Sequence, residues 1–104
     1  MIVQFKNLYL EKLFEARPVP GKPRYSKEVI VKFKKTILKL KHAGTIRDLR
    51  DQRALNFEAL KGEYKGYCSV RVDRGYRLIL TVDSNESISV TAILTVHDLN
   101  NHYQ

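Results

Sequence analysis

LKGEYKGYCSVRVDRGYRLILTV, residues 60–82, is the stretch whose reading decides the fold. It holds two runs of alternating residues joined by Asp73-Arg74-Gly75, a tight-turn tripeptide. In the first run Cys68, Val70 and Val72 share one face, and Tyr67, Ser69 and Arg71 share the other. In the second, Tyr76, Leu78, Leu80 and Val82 oppose Arg77, Ile79 and Thr81. A third run continues the pattern: Ile88, Val90, Ala92, Leu94 and Val96 alternate with Ser89, Thr91, Ile93, Thr95 and His97. An antiparallel sheet needs only one face buried. With the aliphatic set inward, Arg71, Arg77 and His97 all project from the opposite, open face, because a one-residue slip would bury all three. Such a face either carries chemistry or is a solvated surface kept soluble by its arginines.

The sequence N-terminal to this stretch reads as helices. Met1–Phe5 alternates as a short strand. Asn7 is placed to cap a helix running to about Ala16, with Leu10, Leu13 and Phe14 inward. Arg17–Arg24 contains Pro18, Pro20, Gly21 and Pro23 and reads as a loop. Ser26 caps the longest helix, whose apolar stripe is Ile30, Phe33, Ile37 and Leu40. Gly44 is expected to stop it as a C′ glycine, and Thr45 to cap a short helix over Ile46–Gln52. Strands follow. The order is β-α-α-(α)-β-β-β-β, which predicts an α+β fold. Two or three helices and an N-terminal strand pack on one face of a twisted antiparallel sheet, in one domain spanning residues 1–104.

Composition narrows the function. The chain has 104 residues, enough for one core. No apolar run is long enough to span a membrane, and Met1-Ile2-Val3-Gln4-Phe5 lacks the basic and apolar regions of a signal peptide. The one cysteine, Cys68, has no partner in the chain and falls on the core side, so it reads as a buried structural thiol. These features predict a cytoplasmic protein. Between Lys22 and Arg53 eleven basic residues face three acidic ones, a net of +8. The remainder of the chain balances. Such a helical segment suits a polyanion or an acidic protein partner, or is simply a solvated face.

Other site chemistries lack support. His42, His97 and His102 are scattered, so no metal-ligand spacing exists. There is no phosphate-loop or dinucleotide motif. Ser69 lies in mid-strand, not on a nucleophile elbow. His97 and Asp98 are neighbours that a regular strand would send to opposite faces. No cofactor is expected.

Lys61-Gly62-x-x-Lys65-Gly66-x-x-Ser69-Val70-Arg71-Val72, followed by Gly75-Tyr76-Arg77-Leu78, resembles the RelE/ParE superfamily of bacterial type II toxins, and within it the HigB, or plasmid maintenance killer, branch. IVQFKNLYLEKLF at residues 2–14 resembles the opening strand and first helix of that branch, and Leu60-Lys61-Gly62 its Leu-Lys-Gly. The resemblance implies a small RelE-like domain acting as an mRNA endoribonuclease in the ribosomal decoding site, without metal or cofactor, and neutralised by an antitoxin. RNA's own 2′-hydroxyl would be the nucleophile. Carried over, Arg77 would stabilise the phosphorane, Arg71 and Lys61 would bind the backbone or the transition state, and His97 would serve acid–base chemistry. Lys65, Arg74 and Tyr67 would contact RNA, and Tyr103 would stack on a base or donate a proton. Ribosomal RNA and the antitoxin are the expected macromolecular partners, and helices of these toxins often dock the antitoxin.

The chain departs from the branch at three points. Glu58 stands where a histidine often precedes Leu-Lys-Gly; it could act as base, or be an exposed strand carboxylate. Thr95-Val96-His97 stands near an expected Asp-Tyr-His, one residue out of register. In the RelE branch an arginine follows the last strand; here Asp98 is nearby instead. Three readings follow: a ribosome-dependent nuclease, a gyrase poison like the ParE branch, or a catalytically silent basic RNA-binding module whose affinity falls steeply with salt.

Overall fold

The computed structural model describes residues 1–83 and 93–101. Strand β1 (Ile2–Phe5) leads to helices α1 (Leu8–Phe14), α2 (Lys27–His42) and α3 (Ile46–Asp51). Strands β2 (Glu58–Ala59), β3 (Cys68–Arg71), β4 (Arg77–Asp83) and β5 (Ile93–Asn100) follow, with 3-10 turns at Arg53–Leu55 and Gly62–Tyr64. The expected alternation at residues 88–92, and His102 and Tyr103, lie outside the described residues.

Three polar caps set where the helices begin. The Asn7 side chain accepts from the Leu10 N–H, and Ser26 from the Val29 N–H. At α3, Thr45 and Asp48 form a reciprocal capping box. The end of α2 differs from expectation. Gly44 is not a left-handed C′ residue; α2 ends because Ala43 turns extended, at φ −68° and ψ 138°. The Asp48 carboxylate explains this: one of its oxygens receives both the Gly44 and the Thr45 N–H at 3.0 Å, pinning the link between two helices. A Cβ at Gly44 would lie 3.1 Å from that oxygen.

The sheet order is β1-β5-β4-β3-β2. It is mixed rather than wholly antiparallel. β1 runs parallel to β5, with Ile2 opposite Ile93 and Phe5 opposite Val96. The reason is topological: the helices carry the chain from β1 to β2 at the far edge, and the antiparallel run β2-β3-β4-β5 then returns beside β1 with β5 pointing the same way. β2 through β5 are antiparallel.

The core lies between the helices and one face of the sheet. Leu10 and Leu13 of α1, Phe33, Ile37 and Leu40 of α2, and Leu49 of α3 meet Val70, Leu78, Leu80, Leu94 and Val96. Phe33 is fully buried and its ring crosses Phe5 of β1 edge-on, 6.5 Å between centroids. The buried stripe of α2 runs through Val29, Phe33, Thr36, Ile37 and Leu40; Ile30 lies at its margin. Thr36 is tolerated because its hydroxyl donates back to the Lys32 carbonyl at 2.8 Å. Val82, expected inward, is 37% exposed at the end of β4.

Cys68 is buried, as its parity predicts, and its S–H points at the Leu80 carbonyl. Burial pushes the thiol up to about 11. Tyr25 similarly donates to the Leu99 carbonyl at 2.8 Å, and burial with the Asp98 carboxylate pushes it up to about 12.

Strict alternation fails at one place on β5. Leu80 pairs with Val96 and Ile79 pairs with Asp98, which leaves His97 as an extra residue in the ladder. The bulge reverses parity, so Val96 and Leu99 both reach the core although they are three residues apart.

Two stability outcomes follow. Phe33→Ala should lower the unfolding free energy measured in urea by about 3–5 kcal/mol, whereas Leu38→Ala on the outer face of α2 should move it by less than about 0.5 kcal/mol. Because the folded thiol titrates above its ordinary 9.0, Cys68 contributes stability that is complete below pH 9 and lost as pH rises towards 11. Chemical denaturation across that window should show the decline, and Cys68→Ala should flatten it; an unchanged slope would remove Cys68 as its source.

Candidate active site

The open face of the sheet is built from the alternate residues. Glu58 sits opposite Ser69, Ser69 opposite Ile79, and Ile79 opposite Asp98, in one row across four strands. The next row pairs Arg71 with Arg77 and Arg77 with Asn100. The face is not uniformly solvated: Ser69 is fully buried and Ile79 is 2% exposed, though Ile79 stands outside the main core cluster.

Arg77 accounts for the buried serine. Its Nε donates to Ser69 Oγ at 2.8 Å, and its Nη2 donates to the Asn56 carbonyl at 2.6 Å and to the Ser69 carbonyl at 3.4 Å. The side chain is only 13% exposed. Its charge is weakly countered. Glu58 Oε2 is 3.8 Å from Nη2, a loose approach from a carboxylate that is half exposed. Arg71 lies directly across the ladder, a like-charge pairing that a sheet disfavours. Burial, and then Arg71, lower the pKa of Arg77, while Glu58 raises it. An arginine nonetheless stays protonated. The guanidinium is therefore fixed, partly dehydrated and short of negative charge, with Nη1 unengaged among the described residues.

A cleft of about 240 Å³ opens beside it, lined by Asn56, Glu58, Arg71, Asp73, Arg74, Gly75 and Arg77. The turn between β3 and β4 closes one side. Asp73 Oδ1 accepts from the Gly75 and Tyr76 N–H groups at 2.9 Å each, so this carboxylate holds the turn and presents Arg74 to the cleft. Asn56 forms the other wall. It adopts the left-handed region at φ 44°, and its Nδ2 donates to Glu58 Oε1 at 3.3 Å. Three arginines around one cleft suit a phosphate diester, and a half-exposed carboxylate beside them can take a proton.

His97 and Tyr67 form a second cluster on the same face. The His97 Nε2 lies 2.8 Å from Thr81 Oγ1, and its ring meets Tyr67 edge-on at 5.0 Å. Tyr67 in turn meets Tyr64 at 6.1 Å. Thr81 is four residues beyond Arg77 along β4, about 13 Å. Burial and then the Lys6 ammonium both lower the His97 pKa, which favours the neutral imidazole. The bulge also brings Asp98 onto the open face, against the expectation for neighbours in a regular strand. Asp98 is nevertheless no partner of His97: its oxygens accept from the Leu99 N–H and Asn100 Nδ2.

The structure thus brings Arg71, Arg74 and Arg77 together, and sets His97 with Tyr67 apart from them. Lys61 and Lys65 are exposed at the two ends of the 3-10 turn at Gly62–Tyr64, outside the arginine cleft. Tyr103 lies outside the described residues. Asn56 escapes a motif-based reading, and Ser69, though it stands in the Ser-Val-Arg motif, gets no role from it. Period-2 parity does put Ser69 and Arg77 on one face, but only the ladder register shows that they touch. Among the described residues no three His, Cys, Asp or Glu side chains converge as a metal site would need, and no helix is long and apolar enough to cross a membrane.

The fold and the chain both have known relatives. In structure it is similar to YafQ from E. coli strain BL21(DE3), with a TM-score of 0.61 and 14% identity over 96% of this chain and 91% of that one. It is also similar to the YoeB-YefM complex from Staphylococcus aureus, at 0.57 and 20% over 99% and 98%. The YoeB/ParE toxin from Agrobacterium tumefaciens gives 0.54 and 22% over 99% and 100%. At these identities the likeness is one of fold. In sequence the chain is 37% identical over 83 residues to Toxin HigB-1 of Vibrio cholerae serotype O1 (strain ATCC 39315 / El Tor Inaba N16961), covering 76% of this chain and 81% of that toxin. The family model for the RelE-like toxin of type II toxin-antitoxin system HigB matches residues 3–97, which take in β1, the three helices, the arginine cleft and His97. The chain belongs to the HigB-like family of RelE-like toxins of type II toxin–antitoxin systems.

Proposed function

We propose that this toxin is a ribosome-dependent mRNA endoribonuclease whose chemistry takes place in the arginine cleft. The observation that carries the reading is the company kept by Arg77: a nearly buried guanidinium, two further arginines and the Glu58 carboxylate around one cleft of about 240 Å³. Glu58 takes the proton of the 2′-hydroxyl, and that oxygen attacks the adjacent phosphorus. The bond from phosphorus to the 5′-oxygen breaks, and the leaving oxygen takes a proton from water. The products carry a 2′,3′-cyclic phosphate and a 5′-hydroxyl. Arg77 and Arg71 face the charge that develops on the phosphorane, where a desolvated, preorganised cation is worth most. Every group in this scheme belongs to the chain, the RNA or solvent, so the proposed reaction is metal-independent.

His97 takes a different part from the one that sequence position suggests. It does not line the arginine cleft, and its ring is taken up by Thr81 and Tyr67 instead. With Tyr67 it is placed to hold a base of a neighbouring nucleotide. Lys61, Lys65 and Arg74 then serve flanking phosphates, and Tyr103 remains a proposed RNA contact. The proposed setting is the cytoplasm, with mRNA on the ribosome and ribosomal RNA as nucleic-acid partners. The proposed neutralising partner is an antitoxin. Similarity to the YoeB-YefM complex supports that partner, as does the +8 excess at Lys22–Arg53.

Primer extension on translating ribosomes tests the scheme. Arg77→Ala should lower the cutting rate by about 100-fold or more, the scale of losing one preorganised charge contact. Glu58→Gln should cost at least about 100-fold as the loss of a general base, and His97→Ala about tenfold or less. A His97→Ala loss as deep as that of Glu58→Gln would return the proton transfer to His97. Growth arrest without cuts would favour a gyrase-directed toxin instead. Separately, NMR titration should find the His97 imidazole below its ordinary 6.5, and Lys6→Gln should move it upward; a titration unmoved by Lys6→Gln would contradict the environment described for this ring.

A further inference from the structure

The contact between the Asn56 main chain and Arg77 carries a role beyond those assigned to the cleft. Asn56 caps the 3-10 turn at Arg53–Leu55 with φ 44° and ψ 59°, a left-handed backbone that few residues other than glycine, asparagine and aspartate adopt easily. That conformation is what aims its carbonyl at Nη2 of Arg77, at 2.6 Å. On the other side of the guanidinium plane's edge, Ser69 Oγ receives Nε at 2.8 Å from a fully buried position. Two acceptors on two different elements therefore fix the guanidinium, and Nη1 is left for the cleft. The same Asn56 reaches Glu58 Oε1 through its side-chain amide. One residue thus orients the cation through its backbone and the carboxylate through its side chain.

We propose that Asn56 is a positioning residue for the cutting reaction, and that residue 56 is constrained chiefly by its positive φ, through which its carbonyl, together with Ser69, forms a receptor for one guanidinium group. The proposal rests on the reading that Arg77 acts in RNA cleavage. It makes an unusual demand: the identity of the side chain at 56 matters less than its ability to sit at φ above zero. Asn56→Gly keeps both the backbone and the carbonyl and loses only the grip on Glu58. Asn56→Val carries a β-branched side chain that a left-handed backbone excludes, so the carbonyl must turn away.

The test uses the full-length toxin on mRNA-programmed ribosomes, with saturating and subsaturating complexes to separate kcat from KM. Asn56→Gly should lose only what freeing Glu58 costs, and Asn56→Val should lose at least about tenfold more than Asn56→Gly, mostly in kcat, as misplacement of a charge contact costs. The deciding readout is chemical rescue. Guanidinium chloride at low millimolar concentration should restore part of the cutting of Arg77→Ala and of Arg77→Ala/Asn56→Gly, because the receptor persists. It should fail with Arg77→Ala/Asn56→Val. Should the valine variants lose their cooperative thermal transition, Arg77→Ala/Ser69→Ala takes their place, since alanine fits a buried strand position, and it should likewise resist rescue. Equal rescue in all backgrounds would overturn the proposal, as would wild-type kcat in Asn56→Val beside an inactive Arg77→Ala. An Arg77→Ala variant that cuts normally would instead overturn the function assigned to the cleft.

Discussion

The ladder between β4 and β5 is the constraint on which the rest of the molecule depends. β5 is an interior strand, bonded to β1 on one side and β4 on the other, and it delivers Leu94, Val96 and Leu99 to the core. Those three residues cannot share a face in a regular strand, where like-facing positions are two apart. The one-residue bulge at His97 resolves the conflict. It also decides the open face: it turns the His97 ring toward Thr81 and Tyr67, and it sets Asp98 in the row of Ile79, Ser69 and Glu58. A device needed for packing on one side of the sheet thereby sets the side-chain arrangement on the other.

Arg77 shows what the fold spends on that face. A guanidinium that is 13% exposed has given up much of its water, and Glu58 at 3.8 Å does not neutralise it. Neutral oxygens replace the water: the Ser69 hydroxyl and two main-chain carbonyls. They satisfy donors without cancelling charge. Arg71 across the ladder adds repulsion that a purely structural sheet would avoid. In the proposed function, the phosphate of the RNA relieves the like-charge pair and supplies the missing countercharge in one step.

Much of the fold is legible in the sequence because local rules act there without competition. Asn7, Ser26 and Thr45 are short polar side chains ahead of apolar periodic runs, and each caps the helix it announces. Period-2 alternation from Cys68 to Val82 gives the faces of β3 and β4. What resists reading is non-local. Nothing in Ile2–Phe5 says that its partner is β5 or that the pair is parallel. Gly44 carries a stop signal, yet the stop is made by Asp48, four residues on and reaching back with its carboxylate. The site divides in the same way. Arg71 and Arg77 follow from parity, but the placement of His97 outside their cleft depends on a bulge, and the part proposed for Asn56 depends on one dihedral angle and a register partner.

The positive charge of this chain falls into two populations that physics treats differently. The +8 excess between Lys22 and Arg53 sits mostly on exposed lysines and arginines of the helical layer. That layer packs on the core side of the sheet, away from the arginine cleft. At physiological salt the Debye length is about 8 Å, so such charges attract a polyanion over short range and are screened beyond it. They can raise the rate of encounter with a ribosome or an acidic protein, but they cannot act on a scissile phosphate across the sheet. Arg77 is the opposite case. It contributes nothing to long-range steering that its neighbours do not, yet its low exposure and fixed hydrogen bonds let it act at contact distance with little screening. In the proposed function, affinity and catalysis are accordingly carried by different arginines and lysines. The salt dependence of encounter therefore carries little information about the proposed chemistry, which would rest on the geometry that Ser69 and Asn56 impose on one side chain.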